Sequence, residues 1–153
     1  MPPATPTTMP PPRDPGSPPV HVVIPSDPAE ARRVRDQVEQ CLAAASCHDH
    51  DRFSIKLALE EALLNAIRHG NQYDPARTVQ IAYRLLPDRF EVHITDEGAG
   101  FDPDDVPDPT TPENLDCLGG RGLFLMRHYM TEVSFNQRGN AVTMCKLLHN
   151  GKP

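Results

Sequence analysis

At 153 residues the chain has room for one ordinary domain with a single core. Apolar residues make up 38% and aromatics 5%, with no Trp, so an aliphatic core of modest size is expected. A formal charge of −6 lacks the basic excess of a nucleic-acid binder. No apolar run approaches the roughly 20 residues of a membrane span, and no charged start with an apolar block marks a signal peptide. The expectation is a soluble cytoplasmic protein that contacts neither nucleic acid nor membrane.

Half of the 18 prolines fall in residues 1–19, "MPPATPTTMPPPRDPGSPP". Such a composition cannot bury a core and predicts a disordered or polyproline-like tail. Ordered structure is expected over residues 20–148, with 149–153 a flexible end. "VHVVIP" reads as a short strand closed by Pro25. Ser26 or Asp27 then caps a first helix, with Pro28 and Glu30 in its first turn and Val34, Val38, Leu42 and Ala45 on its apolar side. The polar segment "CHDHDR" reads as a loop between helices; "CHDH" lacks the second ligand pair of a zinc site. Cys41, Cys47, Cys117 and Cys145 have no CxxC pairing and read as reduced thiols.

The second helix contains "LALEEALLNAIRHGN", residues 57–71. Ile55, Ala58, Leu59, Ala62, Leu63 and Ala66 form one apolar stripe. Lys56 and Glu60 occupy a solvent sector. Glu61, Asn65 and Arg68 occupy another, set apart by Leu57 and Leu64. A helix resting on a core needs one polar sector, so the other is expected to face something polar that is not bulk water. Gly70 and Asn71 suit a left-handed helix end. "TVQIAYRLL" and "DRFEVHITDEG" alternate around Pro87 and Asp88 as an antiparallel hairpin. A loop of unusual length, "GAGFDPDDVPDPTTPENLDCLGGRG", comes next, and loops of this kind tend to be lids or binding loops. A helix "GLFLMRHYM" and two strands, "TEVSFNQ" and "NAVTMCKLL", joined through Gly139, complete the order. The pattern predicts an α+β fold: a two-layer sandwich whose mostly antiparallel sheet is covered on one face by helices.

Three segments carry chemistry. In "TDEGAGF", Asp96 ends a strand beside Gly98 and Gly100, whose backbones can take positive φ or approach a ligand closely. A carboxylate there can accept from the amino group of a flat heterocycle, although the residues alone also describe a surface turn. In "LGGRGLFLM", Gly119, Gly120 and Gly122 precede an apolar helix. They leave amides free for phosphate, with Arg121 adding charge; a flexible helix entry has the same composition. On the second helix, Asn65 can give a neutral oxygen to Mg²⁺, and Glu61 can orient or deprotonate a hydroxyl.

The ordered set of helix Glu/Asn, Asp-x-Gly-x-Gly and Gly-rich helix start resembles the ATP-binding domain of the GHKL superfamily (Bergerat fold). It is most similar to the bacterial anti-sigma factor serine/threonine kinases. "EALLNAIRHGN" looks like their N-box, "DEGAGF" their first glycine box and "GGRGLFLM" their second, over roughly residues 20–148. The resemblance implies ATP lying between helices and sheet. Asp96 would hold the adenine amino group, with Gly98 and Gly100 beside it. Asn65 would coordinate Mg²⁺, and Glu61 would be the catalytic base. Gly120 and Gly122 would wrap the phosphates, with Gly119, Arg121 and Leu123 in the same nucleotide site and residues 101–119 as the lid.

The implied partners are a STAS-type anti-sigma antagonist whose serine is phosphorylated, a sigma factor, and a second copy of the chain. Lid residues Asp102, Asp104, Asp105 and Asp108 would repel ATP unless Mg²⁺ or Arg121 offsets them. One departure stands out: where the family often has Gly-Thr in its last hairpin turn, this chain has Asn140. Thr143 reads as structural, and His69 as a helix cap. The alternative function is a regulatory module that holds ATP without transferring phosphate. A third is a detached ATPase domain, and the lack of a phosphoacceptor-histidine segment argues against an autophosphorylating histidine kinase.

Overall fold

The computed structural model describes residues 19–99 and 120–149. Five strands form one sheet: β1 (Val20–Pro25), β2 (Thr78–Leu85), β3 (Arg89–Thr95), β4 (Glu132–Phe135) and β5 (Ala141–Leu147). Their spatial order is β1-β2-β3-β5-β4, and every neighbouring pair is antiparallel. Three helices, α1 (Pro28–Ala44), α2 (Asp49–Asn65) and α3 (Gly120–Tyr129), complete the described part. The predicted α+β sandwich is the observed one.

Alternation dictates which face is covered. In register across the sheet, Val22, Ile81, Ile94 and Val142 line up, as do Tyr83, Val92 and Met144. Except for half-buried Val22 they are buried, and they meet Val34, Val38 and Leu42 of α1, the whole predicted α2 stripe, and Leu123 and Met126 of α3. The opposite face carries His21, Arg84, Glu91, His93 and Thr143, most of them paired with one another or with Arg89. Arg84 Nε and Arg89 Nε each donate to Glu91 at 2.7 Å, and His93 Nδ1 lies 2.7 Å from Thr143 Oγ1. Thr143 is therefore structural, as expected.

Several local expectations are corrected. Of the two candidate caps of α1, Asp27 acts, accepting from Ala29 N at 2.9 Å; Ser26 Oγ instead donates to Arg77 O. Helix α2 starts at Asp49, inside the segment read as a loop. His48 Nδ1 accepts from His50 N at 3.2 Å, and Asp49 and Asp51 place negative charge in the first turn, where the helix dipole favours it. Lys56 and Glu60 keep the solvent side expected of them, and there they also pair with Glu39 (3.6 Å) and Arg35 (3.5 Å) of α1.

The end of α2 also differs. Residues Ala66–Gly70 form a π-helical turn, with Asn71 N donating to Ala66 O at 2.8 Å. Gly70 is not left-handed, and Asn71 has φ −89; the positive φ angles fall on Gln72 and Tyr73. Asn71 is buried instead, its carboxamide donating to Ser26 Oγ and Thr78 O and accepting from Glu97 N. It pins the chain after β3 to the end of α2. The predicted lid, residues 101–119, and residues 1–18 of the predicted tail 1–19 lie outside the described residues.

Candidate functional site

Glu61 and Asn65, of the polar sector that had no obvious solvent role, face α3, whereas Arg68 is exposed. The two helices pack side by side, and Gly122, in the first turn of α3, sits directly on Glu61 and Asn65. A Cβ placed on Gly122 would lie 2.8 Å from Asn65 Nδ2 and 3.0 Å from Glu61 Oε1. No other residue type leaves that space. Glu61 and Asn65 are both half-buried, and among the described residues neither side chain is engaged by a hydrogen bond or ion pair. A carboxylate and a carboxamide with unused oxygens beside a gap in a helix wall are hard-oxygen donors suited to Mg²⁺ and phosphate chemistry.

The π turn carries the chain from Asn65 to the other end of the cleft. π turns recur at functional sites because the extra residue re-aims the segment beyond it. Here it sets Gly70 under Asp96 so closely that a Cβ on Gly70 would overlap the Asp96 carboxyl group. Gly98 in turn packs on the Gly70 backbone, where a Cβ would collide with the Gly70 carbonyl. The freedom expected of Gly98 is therefore used for close packing rather than for positive φ. Gly98 N donates to Asp96 Oδ1 at 2.7 Å. Burial pushes the Asp96 carboxyl above its ordinary pKa, opposed by the Gly98 N–H bond and the charges of Arg77 and Arg138.

Between these ends runs a cleft with walls of Ile94 and Val142 from the sheet and Leu123 and Met126 from α3, closed by Phe135. Asn65, His69, Asp96 and Asn140 are its polar lining. A narrow apolar slot with one carboxylate at its inner end suits a planar base bearing an amino group. A glycine-lined helix start at the other end suits an anion.

Of the predicted site residues, Asn65, Asp96 and Leu123 line the cleft, while Glu61 and Gly122 meet beside Asn65 and Gly98 packs on Gly70. Gly120 and Arg121 open α3, but only their backbone is described; Gly100 and Gly119 lie outside the described residues. His69, read as a cap, instead lines the cleft. Its pKa is lowered by burial and then by Arg68, which keeps the imidazole neutral at pH 7. Met126 and Phe135 had no signal beyond their apolar character.

Comparison with known proteins agrees with this geometry. The profile of the histidine kinase-like ATPase domain matches residues 24–146. The serine-protein kinase RsbW of Bacillus subtilis is 39% identical over 102 residues, 62% of this chain and 64% of that one. The serine/threonine-protein kinase BtrW of Bordetella bronchiseptica is 38% identical over 91 residues, 57% and 63% of the two chains. Each of these matches spans just under two thirds of the relative's length. The serine-protein kinase RsbW of Bacillus velezensis is 31% identical over 137 residues, 85% of this chain and 86% of that one. The crystal structure of the RsbU and RsbW domains of Rv1364c from Mycobacterium tuberculosis superposes with a TM-score of 0.59 at 20% identity. It covers 86% of this chain and 32% of that one, and supports the fold. The chain belongs to the histidine kinase-like ATPase domain family, in the group of the RsbW-type serine-protein kinases.

Proposed function

We propose that the chain is an ATP-dependent protein serine/threonine kinase of the anti-sigma factor type. Its substrate would be a serine on a STAS-type antagonist protein, and it would regulate transcription by exchanging that partner for a sigma factor. The observation that carries this reading is the seating of Gly122 on both Glu61 and Asn65. It joins the phosphate end of a nucleotide cleft to a carboxylate with no other engagement among the described residues.

In this reading Asp96 holds the amino group of the base with Gly98 beside it, and the start of α3 receives the phosphates. Asn65 is the residue that would hold Mg²⁺, which neutralises phosphate charge when bound. Among the described residues no cage of three His, Cys, Asp or Glu side chains exists. None is required for an ion that takes its remaining ligands from phosphate and water. Glu61 accepts the proton of the serine hydroxyl as the Oγ–P bond forms, the bond from the γ-phosphorus to the bridging oxygen breaks, and ADP leaves. The partners, a second copy of the chain included, are those the family resemblance implies.

The test is transfer of labelled γ-phosphate from ATP to a purified STAS-type protein, with Mg²⁺ and with excess chelator. Magnesium-dependent phosphoserine on the partner is the expected result. Tight ATP binding with no transfer to any STAS-type protein tried would favour the alternative, a regulatory module that holds ATP as a structural ligand.

A further inference from the structure

The turn between β4 and β5 contains no catalytic motif, yet it is bonded to the backbone of Asp96, whose carboxylate would read the base. Asn136 ends β4, and its Oδ1 accepts from three successive backbone N–H groups: Gly139 at 2.8 Å, Asn140 at 3.0 Å and Ala141 at 3.2 Å. Three donors on one atom settle that atom as oxygen, so the Asn136 amide has a single orientation. Its Nδ2 then donates to Asn140 Oδ1 at 2.7 Å. That in turn settles the Asn140 amide, whose Nδ2 donates to the carbonyl oxygen of Asp96 at 3.2 Å. Asp96 N donates back to Asn140 O at 2.9 Å. The Asp96 peptide is thus clamped on both sides by Asn140, and the polarity of the clamp is dictated by Asn136.

We infer that Asn136 and Asn140 are positioning residues for base selection. They hold the Asp96 carboxylate where a 6-amino purine is accepted and a 6-oxo purine refused. The inference rests on the ATP site described above and deepens it. Where the family resemblance implies a threonine, this chain has Asn140. A hydroxyl can donate or accept on either side, whereas a carboxamide works in one orientation only. This chain therefore depends on Asn136 to set that orientation.

Asn136→Asp tests this sharply. The variant keeps one oxygen for the three backbone N–H groups, so the turn is still capped. Its other atom becomes an acceptor, which turns the Asn140 amide over and sets Asn140 Oδ1 against the Asp96 carbonyl. ATP and ITP affinities should be measured by calorimetry for the native chain, Asn136→Asp, and Asn136→Asp/Asn140→Thr, with melting temperatures alongside. The expected result is selection of ATP over ITP by the native chain. Asn136→Asp should lose roughly five- to tenfold in ATP affinity with ITP affinity unchanged. Adding Asn140→Thr should restore the selectivity, because a hydroxyl suits either polarity; a simple charge effect of the introduced carboxylate would persist in the double variant. Equal losses for both nucleotides, or selectivity unchanged in Asn136→Asp, would overturn the inference while leaving the nucleotide site intact. A native chain that binds neither nucleotide would overturn the site reading itself.

Discussion

Of the four carboxylates on helix α2, Asp51 and Glu61, ten residues apart, have opposite surroundings. Asp51, near its start, is fully buried with both oxygens engaged. Oδ2 accepts from His149 N at 2.7 Å, and Oδ1 lies 2.7 Å from His149 Nδ1. It fastens the chain leaving β5 to the head of the helix. Glu61, near its end, is half-buried with no side-chain partner among the described residues, and the residue facing it is a glycine. A buried polar group that is fully bonded contributes to stability, whereas a half-buried carboxylate keeps part of its hydration and needs no such partner. One helix therefore holds an anchoring carboxylate at one end and a chemically available one at the other.

The contrast breaks first at Glu61. Glu61→Gln should lower phosphotransfer by about 10²–10⁴-fold with ATP affinity nearly unchanged, since only proton acceptance is lost. Single-turnover transfer beside calorimetric binding reads both. Gly122→Ala should cut transfer by roughly 10²-fold, because the new methyl would press on Asn65 and Glu61. Its fold should be no less stable, since alanine favours the helix by about 1 kcal/mol. Global destabilisation in urea would instead place Gly122 in the core rather than the site. Asp51→Ala should do the reverse: a loss of about 1–3 kcal/mol of stability in urea, with ATP affinity intact.

The smallest effect belongs to Asp96. Burial raises its folded pKa, so folding favours the protonated form. Stability from this group is full below the ordinary carboxylate pKa and is lost as pH rises through the folded value. Asp96→Asn should therefore be more stable than the native chain at neutral pH. The advantage should vanish in acid, and melting curves across pH check it. A constant difference at every pH would assign the gain to something other than ionisation.

How far this was legible in the sequence varies with the range of the interaction. The α2 stripe, the hairpins and the positions of Glu61, Asn65 and Asp96 come from periodicity and spacing, which are local. The start of α2 did not, because a histidine cap is weakly marked. Nor did the pairing of Lys56 and Glu60 with α1, since a helical wheel does not show what lies beside it. The π turn at Ala66–Gly70 could not be read either. It exists because Gly70 must lie under Asp96, a residue 26 positions away whose contact only the fold creates. Asn136 is likewise silent in sequence: its work is a set of bonds to its own turn that lead, through Asn140, to the far end of β3.

The central claim is that the cleft between α2, α3 and the sheet is one ATP site with separable base and chemical ends. Calorimetric titration of ATP with Mg²⁺ into the native chain, Asp96→Asn and Glu61→Gln tests it most directly. The account predicts binding by the native chain and Glu61→Gln, and its loss in Asp96→Asn. Undiminished binding by Asp96→Asn, or none by the native chain, would contradict it.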